Sequence, residues 1–70
     1  MSRDRGNEDK ALIYTVKVGG DESEPMTRAA ALEMGRRRGS NYGGTVCVLK
    51  NRAGKAPVVV ALWKDGVREV

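Results

Sequence analysis

The chain has no histidine and 1 cysteine. No intrachain disulfide, Cys/His zinc cluster, Ser-His pair or Cys-His pair can therefore be built. Cys47 sits in the apolar run Val46-Cys47-Val48-Leu49, where a buried thiol acts as a small hydrophobe. A single cysteine fits a reducing compartment, and the chain is expected to be cytoplasmic. Long apolar runs are also missing. The longest is Val58 to Trp63, far too short to span a bilayer, and the polar start carries neither a signal peptide nor a lipidation motif. No membrane partner is expected.

Known site chemistries are scarce as well. Asp21-Glu22-Ser23-Glu24-Pro25 lacks the fixed acidic spacing and closing glutamate of a calcium loop. Gly35-Arg36-Arg37-Arg38-Gly39 and Gly39-Ser40-Asn41-Tyr42-Gly43-Gly44 lack the Gly-Lys-Ser/Thr close of a phosphate loop, and they follow a helix rather than open one. Glu33, Asp65 and Glu69 are scattered and do not suggest a carboxylate pair. The expectation is a chain that is not an enzyme, with no catalytic residues, no metal and no cofactor.

The 70 residues suffice for one domain, and at this size the buried fraction of the surface is modest. With disulfides and metals unavailable, self-association is a further route to stability. The net charge of +4 is uneven. Residues 1–24 carry 4 basic and 6 acidic side chains, net −2, whereas residues 25–70 carry 9 basic and 3 acidic, net +6. That asymmetry favours acidic partners.

Residues 1–9 are polar and aperiodic, and are read as a disordered tail ahead of one domain over 10–70. In Leu12 to Val18, the set Leu12, Tyr14, Val16 and Val18 alternates with Ile13, Thr15 and Lys17. This period of two predicts a strand that ends at Gly19-Gly20, followed by an acidic loop. Thr27 caps a helix over Arg28 to Arg38. Ala31, Leu32, Met34 and Gly35 fall on its buried side, with Glu33, Arg36 and Arg37 outside. Gly35 suggests close approach of helix to sheet, and Gly39 a left-handed cap.

Thr45 to Leu49 and Val58 to Trp63 predict two central strands joined by a turn over 51–57. Asp65-Gly66 is a two-residue hairpin signal leading to a short edge strand, Val67 to Val70. In that register Trp63 faces Arg68 within cation–π reach. The fold class is α+β. One helix packs on a three- to four-stranded, mainly antiparallel sheet in the order β-α-β-β-(β), and the first two strands are open to a parallel pairing through a right-handed crossover. A single helix covers one sheet face. Ile13, Cys47, Leu49, Val59, Ala61 and Trp63 are assigned to the other, as an apolar patch for a partner or second copy unless the sheet curls over it.

Arg36, Arg37 and Arg38 occupy the last helical turn, where cations suit the helix dipole, and Glu33 can pair with Arg36 or Arg37. They fan over about 200° and cannot grip one phosphate together. The partner-binding residues inferred are Arg36, Arg37, Arg38, Arg52 and Lys55, with Tyr42, Trp63 and Arg68 as stacking or interface groups. These support a small binding module, a regulator or inhibitor that engages an acidic protein or nucleoprotein surface. Compact chains of this size from phages and mobile elements often work by covering a partner, an analogy of size alone. Two alternatives stand beside it. One is sequence-tolerant nucleic-acid binding, for which Lys50 and Lys64 add charge but only Tyr14, Tyr42 and Trp63 offer aromatic rings. The other is a homodimer through the sheet face around Trp63.

Overall fold

A computed structural model describes residues 10–70; the tail assigned to residues 1–9 lies outside them. The elements are β1 (Tyr14–Val18), β2 (Asp21–Glu22), α1 (Arg28–Asn41), β3 (Thr45–Arg52), β4 (Lys55–Lys64) and β5 (Val67–Arg68). They form an α+β fold with one helix packed on a five-stranded antiparallel sheet in the order β2-β1-β3-β4-β5.

The predicted acidic loop contains a strand. Lys17 and Val18 pair with Glu22 and Asp21. The chain then continues back along β1, where Ser23 N donates to Val16 O, and Tyr14 and Met26 exchange backbone hydrogen bonds. This return delivers Thr27 to the end of the sheet where β1 began. Thr27 caps α1 there, its hydroxyl accepting from Ala30 N at 3.3 Å. The helix therefore runs beside β1 and β3 comes back against it. That makes β1 and β3 antiparallel rather than joined by a parallel crossover.

The helix is longer than the sequence suggested. It runs through Gly39 to Asn41 and ends at Tyr42, whose N–H donates to Arg38 O. Gly39 does not cap it. Both Gly35 and Gly39 are buried against the sheet: a Cβ at Gly35 would stand 2.6 Å from Val48 Cγ2, and one at Gly39 would stand 2.3 Å from Trp63 Cγ. Two glycines one turn apart thus let the helix backbone approach the sheet, and the cost of about 1 kcal/mol per helical glycine is offset by that contact.

The core is Tyr14, Val16, Ala31, Val46, Val48, Ala61 and Trp63. Register explains the set. Val16 faces Val48 and Val48 faces Ala61, while Val46 faces Trp63, so one row of each strand points at α1. Ala61 and Trp63 consequently belong to the helix face, contrary to the sequence assignment. An irregularity between Val48 and Leu49 skips Val60 in the pairing, and such a bulge shifts the alternation along β4. Leu12, expected to point inward, precedes β1 and is exposed.

The turn between β3 and β4 is shorter than 51–57. Both strands extend to the pair Arg52–Lys55, with a tip at Ala53 and Gly54. These are the two longest strands of a fold whose extents are 40 × 22 × 19 Å. The Asp65-Gly66 hairpin forms as expected, with φ of 52° and 87°. Arg68 then pairs with Trp63, its guanidinium 5.3 Å from the ring centroid.

Candidate functional site

The arginine triplet is built on the last turns of α1, which end where β3 begins. The helix carbonyls there have other partners. Ser40 Oγ donates to Arg36 O at 2.9 Å, Asn41 Nδ2 donates to Arg37 O at 3.0 Å, and Tyr42 N donates to Arg38 O at 2.9 Å. The first two are side-chain bonds added to carbonyls inside the last turns, and the third is the last backbone bond of the helix. The guanidiniums differ in their commitments. Arg36 donates to Glu33 at 2.7 Å, and Arg37 reaches the same carboxylate oxygen at 4.0 Å. Arg38 has no ion pair among the described residues.

Rotation by about 100° per residue separates Arg36 from Arg38 by about 200°. Arg38 accordingly turns toward β1 and away from Arg36. There, Arg37, Arg38, Asn41, Tyr42 and Val18 line a shallow cleft of about 310 Å³. Tyr42 is 42% exposed. Its ring is held over two glycines, since a Cβ at Gly19 would stand 2.9 Å from Tyr42 Oη and one at Gly44 would stand 2.6 Å from Tyr42 Cε2. An adjoining lobe of about 300 Å³ shares Val18 and Arg38 and continues to Met34 and Asp21.

Of the residues singled out in the sequence, the cleft brings together Arg37, Arg38 and Tyr42. Arg52 and Lys55 are elsewhere. They pair at the hairpin tip, and the strand from Thr45 to Arg52 spans about 23 Å at 3.3 Å per residue. They cannot share a contact with the helix end. Trp63 is 4% exposed beneath α1, so it offers no stacking surface and anchors no interface on the far side of the sheet. Arg68 stands over its ring and donates to Val70 O at 2.7 Å.

Sequence reasoning missed Val18, Met34, Asn41 and Asp21 as members of the cleft. Val18, Met34 and Asn41 meet where the helix packs beside β1, and Asp21 joins them because β2 turns the chain back beside β1. The far face of the sheet carries half-buried Cys47, Leu49 and Leu62. Beside them a polar link runs across strands: Thr15 Oγ1 donates to Glu22 Oε2 at 2.7 Å and accepts from Asn51 Nδ2 at 3.0 Å.

Among the described residues no group of three or more His, Cys, Asp or Glu side chains is placed to hold a metal ion. No helix among them is long and apolar enough to cross a membrane. Comparison with protein families, with curated proteins and with solved structures gives no match.

Proposed function

We propose that this chain is a small non-enzymatic binding module that engages an acidic surface of a protein partner through the C-terminal turns of α1. Arg37 and Arg38 meet carboxylates of the partner, and Tyr42 packs beside them. One observation carries this reading. Among the described residues none of the three guanidiniums bonds a helix carbonyl, and Arg38 has no ion pair either. The arginines therefore do not act as caps, and Arg37 and Arg38 are available to a partner. A guanidinium–carboxylate bond formed as water leaves the cleft contributes about 1.5–3 kcal/mol.

Three features favour a protein over nucleic acid. The cations are divided between the helix end and the hairpin tip instead of lining a continuous phosphate track. Asp21 shares the cleft with Arg38 and opposes the unbroken negative charge of a phosphate backbone, whereas a protein segment can place an uncharged or basic side chain there. Of the three aromatic rings, Tyr14 and Trp63 are buried, leaving Tyr42 as a single stacking platform where single-strand binders use several.

The test is recovery of the tagged protein from its own host after nuclease treatment. The expected result is one stoichiometric acidic polypeptide, lost with Arg37→Glu/Arg38→Glu and retained with Arg52→Glu/Lys55→Glu. Recovery of nucleic acid alone, or loss with the hairpin variant and not the helix variant, would overturn the proposal.

A further inference from the structure

We infer that the segment recognised by this cleft is dipolar, an acidic side chain followed across an apolar one by a basic side chain. The inference rests on the binding site proposed above and names the chemistry of its ligand. It starts from two opposite charges that share one lobe. Asp21 pairs with Val18 in the β1–β2 register, so both side chains lie on the sheet face that looks toward α1. Arg38 reaches the same lobe from the helix. The two do not neutralise each other, since neither forms an ion pair among the described residues. Glu33 and Arg36, by contrast, close at 2.7 Å on the outer side of the helix.

The floor between Asp21 and Arg38 is apolar. Val18 and Met34 are half-buried there and pack against the core. The cleft therefore reads, from helix end to β2, as positive, apolar, negative. A ligand of complementary order satisfies all three parts. A uniformly acidic ligand would leave a carboxylate or phosphate against Asp21, and like charge at close range acts against binding.

The experiment pans a phage-displayed library of random dodecapeptides against the wild-type chain, Asp21→Lys, Arg37→Glu/Arg38→Glu and, as a control for folding and for unrelated charge, Arg52→Glu/Lys55→Glu. Wild type and the hairpin variant are expected to enrich peptides with an acidic residue, then an apolar one, then a basic one. Asp21→Lys should enrich peptides acidic at both ends, and should bind the wild-type selectants about tenfold more weakly. Enrichment of uniformly acidic peptides by wild type, or an Asp21→Lys preference identical to wild type, would overturn the dipolar ligand. The arginine site itself would still stand in that case, provided Arg37→Glu/Arg38→Glu loses the selectants. If no acidic peptide is enriched, or enrichment survives that double variant, both the inference and the site beneath it fall.

Discussion

Gly39 lies against the indole of Trp63 so closely that a Cβ at position 39 would stand 2.3 Å from Trp63 Cγ and 2.6 Å from its Cβ. Replacing a glycine inside a helix with alanine ordinarily stabilises by about 1 kcal/mol. Here the sign reverses. Gly39→Ala forces the helix off the sheet and should cost about 1–3 kcal/mol, the usual range for an overpacked core. Gly43→Ala has nothing within 4 Å of the new methyl and serves as the control. Denaturant midpoints compare the two, and a Gly39→Ala chain as stable as wild type would contradict this packing.

Thr15 is 5% exposed and links β2 to β3 through Glu22 and Asn51. Thr15→Val keeps the shape and removes both hydrogen bonds, leaving a carboxylate and an amide short of a partner. The expected loss is about 1–3 kcal/mol. Thr15→Ser keeps the hydroxyl and should lose less. Equal losses for the two variants in urea unfolding would show that the hydroxyl is not what stabilises this corner.

The outer side of β4 is covered only in part. β5 pairs with Trp63 and Lys64, and the backbone N–H groups of Glu69 and Val70 donate to Leu62 O. Val58 and Val59, farther along, are 43% and 45% exposed. Pro57 has no N–H to offer there, and a proline on an edge strand opposes pairing with another chain. Pro57→Val should therefore raise the concentration-dependent mass in light scattering. A mass unchanged from wild type would remove this role for Pro57.

The guanidinium of Arg68 stands over Trp63. Arg68→Ala should destabilise by about 0.5–1 kcal/mol, the range of exposed cation–π contacts. Arg68→Lys should recover part of the loss. Identical melting curves for wild type and Arg68→Ala would assign the contact no energetic weight.

Much of this architecture can be read in the residues themselves. Alternation selected Tyr14 and Val16 for the core, helical spacing selected Ala31 and Gly35, and Asp65-Gly66 set the hairpin that aligns Trp63 with Arg68. Other features have no local signal. Asp21 and Glu22 have poor strand propensity, and their strand exists through pairing with β1. Gly39 looks like a helix stop until Trp63 is seen opposite it. Val59, opposite Leu49, lies on the far face as expected, but Ala61 and Trp63 do not, because an almost wholly apolar run hides its alternation and the bulge at Val60 shifts it. The candidate site was half legible for the same reason. Helical spacing showed that the arginines fan apart, but the separation of Arg52 and Lys55 from them follows from the antiparallel direction of β3.

The central claim, that the helix end and not the hairpin tip is the acidic-partner site, is tested most directly by amide NMR. The ¹⁵N-labelled chain is titrated with a short end-blocked peptide whose only charged side chain is one glutamate. Shifts concentrated at Val18, Arg37, Arg38, Asn41 and Tyr42, and lost in Arg37→Glu/Arg38→Glu, are the predicted result. Shifts concentrated at Arg52 and Lys55, or spread evenly over all the basic residues, would contradict it.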